Sequence, residues 1–125
     1  MPSATRNRER KERLSGLCLD FPAATCEDTG HHSAFRCGGK VFAYLLDNHH
    51  GDGILSVCCK ALPGDNHRLI EANPRRFYLP AYIGPRGWVA LRLDLPSVDW
   101  SEVKELLRGS YLLIAPKKYT RQLDP

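Results

Sequence analysis

The chain reads as an α+β domain in which a helix near each end brackets an antiparallel meander. Three observations predict it. Apolar residues recur at helical spacing before residue 19 and again after Asp99. Between Cys26 and Lys60 the period changes to two, punctuated by Gly38-Gly39 and by the polar run NHHGDG at 48–53. The 125 residues suit one domain, 1–125, large enough to bury a core without metal or disulfide staples.

Residues 4–19 form the first expected helix, with Leu14, Leu17 and Cys18 inward and Glu9, Arg10, Glu12 and Arg13 on a charged outer face. Nothing apolar precedes Leu14, so residues 1–10 are expected to fray, and Phe21-Pro22 ends the helix. Ser33 to Cys37, Lys40 to Asp47 and Ile54 to Lys60 are the strands of the meander. Phe42, Tyr44, Ile54 and Val57 supply the β-branched and aromatic bulk a sheet favours. Pro63-Gly64 breaks the pattern, and Asp65 is the expected N-cap of a short helix from Asn66 to Ala72. Phe77 to Tyr82 is extended but contains Pro80, which predicts an edge or bulged strand. After the tight turn Gly84-Pro85-Arg86-Gly87, Trp88 to Asp94 alternates, with Val89, Leu91 and Leu93 on one face. Ser101 is the expected N-cap of the last helix. Its stripe is Val103, Leu106, Leu107, Leu113 and Ile114, weakened midway by Gly109 and limited by Pro116, with 119–125 a tail.

Composition narrows the function classes. With 42% hydrophobic and 26% charged residues, disorder is not the default. No apolar run approaches the ~18–20 residues needed to span a bilayer, and the basic start lacks the apolar core of a secretory signal. An intracellular, cytoplasmic protein with no membrane partner is expected. The five cysteines are odd in number and lack a C-x-x-C pair, which suits a reducing compartment where thiols pack as small hydrophobes. Cys58 and Cys59 are adjacent on a strand and so point to opposite faces. The net charge of +4 is unevenly spread: residues 60–92 carry Lys60, Arg68, Arg75, Arg76, Arg86 and Arg92 against Asp65 and Glu71. Such an asymmetry can steer an anionic partner, or can be a solvated surface.

With its pieces in order, the chain resembles the MmcQ/YjbR family. The resemblance rests on Leu-Asp-Phe-Pro at 19–22, the strand region from Glu27 to Phe35 and Gly-Gly-Lys-Val-Phe-Ala at 38–43. It continues through Arg-Phe-Tyr-Leu-Pro-Ala-Tyr at 76–82, Gly-Trp-Val at 87–89, Ser-Tyr-Leu-Leu at 110–113 and Ala-Pro-Lys-Lys at 115–118. It covers most of 15–121 but carries nothing to the loop at 48–53. It implies a CyaY-like "double wing" fold of bacterial type: two layers, an antiparallel sheet covered on one face by helices. It also implies DNA binding, the property by which family members are described.

The residues offer a site for that activity. Arg75, Arg76 and Arg86 flank one expected sheet edge, interleaved with Tyr78, Tyr82 and Trp88; guanidinium groups engage phosphates bidentately and exposed aromatics stack on bases. Lys60, Lys117, Lys118 and Arg121 extend the patch if the tail lies nearby. Few cations imply weak, salt-sensitive binding. The basic run from Arg6 to Arg13 reads as a solvated helix face, its glutamates interleaved, against a nucleic-acid arm. His31-His32, His49-His50 and Cys37 lack metal-ligand spacing, so neither metal nor cofactor is expected. No nucleophile elbow, P-loop or dinucleotide fingerprint is present, and a non-enzymatic protein is expected. The alternative is a protein-interaction or chaperone-like adaptor that adds a partner strand at the edge marked by Pro80.

Overall fold

The computed structural model describes residues 2–123, apart from the side chains at positions 2, 3 and 50. The chain runs α1 (Pro2–Leu19), β1 (Thr25–Asp28), β2 (His32–Cys37), β3 (Lys40–Asp47), β4 (Leu55–Lys60), α2 (Asp65–Ala72), β5 (Phe77–Tyr78), β6 (Trp88–Arg92), α3 (Trp100–Ile114) and α4 (Lys117–Thr120). The strands form one antiparallel sheet in the order β1-β2-β3-β4-β6-β5. Gly38 and Gly39 close the β2–β3 hairpin at φ 60° and 80°, the left-handed pair that a two-residue turn matching the strand twist requires.

One face of the sheet carries the helices. Leu14 and Cys18 of α1, with Val103, Leu107 and Tyr111 of α3, pack onto Phe35, Leu45, Val57, Val89 and Leu91; Leu69 and Ile70 of α2 close the side. A bulge tunes this face: Phe35 pairs with Ala43 but Arg36 with Val41, so Phe42 is extra, and both Phe42 and Ala43 are buried in the core. Phe42 and Phe21 then meet the Tyr111 ring at 5.2 and 4.7 Å. The other face buries Cys58, Trp88 and Ala90 under Tyr44, Tyr78 and Ile83. Cys58 and Cys59 do point to opposite layers.

Several elements differ from expectation for identifiable reasons. The basic run of α1 is anchoring. Arg10 reaches the carbonyls of Leu93, Leu95 and Pro96 at 2.5 to 3.1 Å, and Arg6 that of Asp94 at 2.9 Å. Lys11 pairs with Asp47 at 2.8 Å, and the Arg13 guanidinium lies 4.5 Å from the Trp100 ring centroid. Polar anchors thus hold the stretch of α1 that precedes Leu14. Asp65 is the first residue of α2 and Gly64 its cap. Asp99, not Ser101, caps α3, its Oδ1 accepting from the backbone N–H groups of Ser101 and Glu102 at 3.1 and 3.3 Å. Phe77 to Tyr82 is a strand over only two residues, after which Tyr82 takes φ 67° and the chain folds back. The region expected to be a tail begins with α4, whose Tyr119, like Leu123 beyond it, packs against the main core.

Candidate nucleic-acid interface

Two ends of the sheet divide the predicted cations between them. Lys60 pairs with Trp88, whereas the Arg92 amide donates to the Arg76 carbonyl. Arg75 and Arg76 therefore lie at one end of β6 and Lys60 and Arg86 at the other, a separation of about 13 Å along the strand. Arg76 is moreover paired with the Glu102 carboxylate, while Arg75 is exposed. Arg75 and Arg76 thus lie at the opposite end of β6 from Arg86.

Trp88 departs further from expectation. It retains 8% exposure and packs beneath Tyr44, their ring centroids 5.4 Å apart, so its ring is not offered for stacking on a base. Alternation along β6 sends Trp88 and Ala90 to the helix-free face, where the segment after β5 folds over them through Ile83. Tyr78 is fixed by a 2.8 Å hydrogen bond between its hydroxyl and that of Ser56; burial raises its pKa to about 12.

The remaining predicted cations gather at the hairpin end. A hollow of about 390 Å³ is lined by Lys60, Asn66, His67, Arg86 and Gly87. Asn66, buried, builds it: its Nδ2 donates to the carbonyls of Gly84 and Trp88 at 3.1 and 3.2 Å, clamping the turn that carries Arg86 to the first turn of α2. The amino end of α2 opens onto this hollow, and its cap, Gly64, supplies no side-chain acceptor. Asp65, the acidic residue of that turn, is already paired with Arg68 at 2.8 Å. Lys60 is held by Ser110, whose hydroxyl accepts the Lys60 amide at 2.9 Å and donates to the Phe42 carbonyl at 2.6 Å.

The C-terminal lysines reach the same end. Pro116 sits so close to the hairpin that a Cβ on Gly38 would meet its Cγ at 2.8 Å. Lys117 and Lys118 follow directly, and Arg121 is one helical turn after Lys117. Among the described residues, Lys60, Arg86, Lys117, Lys118 and Arg121 have no ion pair. Lys40 at the start of β3 and His67 belong to this end as well, and sequence patterning singles out neither. Their only signal is adjacency to the Gly-Gly turn and to the Pro-Gly break.

The His31 ring lies 3.0 Å from the Asp47 carbonyl and His32 stands edge-on to His49 at 5.1 Å, while the side chain of His50 lies outside the described residues. Among the described residues no group of three or more His, Cys, Asp and Glu is placed to hold a metal ion. Burial raises the thiol pKa of Cys18 and Cys59 well up and that of Cys58 to about 12. Cys26, exposed on β1, is also raised, first by partial burial and then by Asp28. The sheet edge marked by Pro80 is a two-residue strand, too short to template a partner strand. No described helix is long and apolar enough to cross a membrane.

Comparison with known proteins agrees with this architecture. A crystal structure of a Deinococcus radiodurans protein with a DUF419 domain superposes with a TM-score of 0.69 at 24% identity, covering 90% of this chain and 86% of that one. A Pseudomonas syringae protein superposes with a TM-score of 0.61 at 17% identity, covering 83% and 97%. Both likenesses are of fold. No curated protein sequence matches the chain. The YjbR family model matches residues 19–113, from the end of α1 into the last turn of α3, and the chain belongs to the YjbR family.

Proposed function

We propose that this chain is a non-enzymatic, cytoplasmic nucleic-acid-binding domain that holds DNA phosphates at its hairpin end. The observation that carries the reading is the hollow between Lys60 and Arg86. There two cations with no ion pair among the described residues flank an open hollow beside the first turn of α2, with Lys117 and Lys118 beyond it. Guanidinium and ammonium groups on phosphates position the backbone without reading sequence, and the burial of Trp88 removes one ring on which a base would stack. Binding is accordingly weak, with Kd on the order of 10⁻⁴ to 10⁻⁶ M at physiological salt, and tightens as salt falls. Burial favours the protonated thiol at Cys18, Cys58 and Cys59, which counts against these three as nucleophiles, since the thiolate is the reactive form. Unbridged cysteines suit a reducing compartment.

Fluorescence anisotropy of labelled duplex DNA, titrated across a range of salt concentrations, tests the reading. The double variant Lys60→Ala/Arg86→Ala is expected to reduce the slope of log K against log salt by about 1.8, roughly 0.9 for each phosphate no longer neutralised. Arg75→Ala/Arg76→Ala is expected to leave the slope in place. Flat anisotropy at low salt, or equal effects in both double variants, would overturn it.

A further inference from the structure

The helix-free face carries a second feature, at the opposite end of the sheet from the cationic hollow. A cleft of about 610 Å³ runs between the segment after β5 and the loop joining β3 to β4. Its size is that of small-molecule sites, and most of its lining is apolar. Aromatic side chains line it: Tyr44, Tyr78 and Tyr82, with His32 beside Tyr44 and His49 next to His32. One carboxylate, that of Asp52, faces into it. The Asp52 Oδ1 accepts the Ile54 amide at 2.9 Å, which fixes the side chain, and among the described residues no cation pairs with it. The guanidinium on this face, Arg92, is taken up by Asp94 through two hydrogen bonds of 3.0 and 2.9 Å.

Tyr82 supplies an independent pointer. It holds φ 67°, a left-handed conformation that strains a bulky residue, and yet it is 84% exposed. The left-handed turn at this position places Tyr82 among the residues that line the cleft. Strained residues of this kind gather at ligand clamps.

We propose that this cleft binds a flat organic cation, an aromatic ring system carrying a positive nitrogen. Aromatic rings attract a cation through their quadrupoles, and the Asp52 carboxylate supplies the counter-charge. The same features disfavour an anion, so the cleft is not a second seat for nucleic-acid phosphate, and this inference does not rest on the reading above.

The test uses the full chain without DNA. Trp88 lies beneath Tyr44, so its emission reports occupancy once Trp100, on the helix side, is replaced in a Trp100→Phe background. N-methylacridinium is the cationic probe and 9-anthracenecarboxylate its anionic counterpart of similar shape. The acridinium is expected to quench Trp88 saturably and to bind at least about tenfold more tightly than the carboxylate. Asp52→Asn is expected to weaken the cation about three- to fivefold and to narrow its advantage over the anion. Tyr82→Gly is expected to weaken the cation by a similar factor while raising Tm, because glycine relieves the positive φ. Equal affinity for the two probes, no saturable quenching, or unchanged affinity in both variants would overturn the proposal. DNA anisotropy is expected to be unchanged by either variant, which separates this outcome from that of the hollow.

Discussion

Arginine does two opposite jobs in this chain, and the difference is invisible in the local sequence. Arg6 and Arg10 spend their donors on carbonyls more than 80 residues away, and Arg76 and Arg92 on the carboxylates of Glu102 and Asp94. Arg86, set between Pro85 and Gly87, has no ion pair among the described residues. A cluster of arginines can therefore be located from sequence while its availability cannot, because a guanidinium finds its partner through the tertiary fold. The Arg92–Asp94 pair gives a measurable consequence. Burial acts to raise the Asp94 carboxyl, but the hydrogen bonds from Arg92, its charge and that of Arg6 outweigh it and hold the carboxyl below its ordinary value. A carboxyl depressed in the folded state stabilises it above the ordinary carboxylate range, and the contribution is lost as pH falls through the folded value. Asp94→Asn is expected to cost about 1–2 kcal/mol at pH 7. The difference should shrink as pH drops below about 4, the unfolded carboxylate range. Thermal melts of both proteins between neutral and strongly acid pH check this; a pH-independent gap would remove the pair from the account.

Elements are legible wherever a period repeats long enough to read. The pattern of β3 locates it residue for residue, and alternation alone assigns the two faces of β6. β1 is not separable, because its four residues are all exposed and carry no alternation; only pairing with β2 makes it a strand. β5 ends early because Pro80 lacks an amide and Tyr82 turns the chain back. Gly109 does not interrupt α3, which continues to Ile114 since the residues just beyond it, Ser110 and Tyr111, are fully buried. Ser110 is the tie between α3 and the sheet, accepting from the Lys60 amide and donating to the Phe42 carbonyl beside the bulge. Ser110→Ala removes both hydrogen bonds at once in a site closed to water. It is expected to destabilise the domain by about 2–3 kcal/mol, a lowered midpoint in urea with the slope unchanged. A change of less than about 0.5 kcal/mol would mean that the helix is held by its apolar stripe alone.

At the scale of the whole molecule the sheet has two unequal covers, and the adjacent cysteines of β4 report on them separately. Cys59 lies under α1 and α3 in the main core, while Cys58 lies beneath Trp88, Ile83 and the short segment that follows β5. The helix layer is thick and continuous; the other cover is a few residues of irregular chain containing the strained Tyr82. This asymmetry is beyond the reach of sequence patterning, since it depends on where the chain goes after Pro80, and the candidate cleft and the burial of Trp88 follow from the same turn. Local opening draws on the least-packed cover first, so the two thiols should become reactive at different rates. In the native protein iodoacetamide at mildly alkaline pH is expected to modify Cys26 first, the one exposed thiol among the five. Cys58 should follow slowly and Cys59 last, despite their adjacency, because each must lose its burial before the thiolate can form. Peptide mapping of timed samples resolves the order. Simultaneous labelling of Cys58 and Cys59 would show that the two layers open together as one cooperative unit, and the helix-free cover would then be as firm as the helical one.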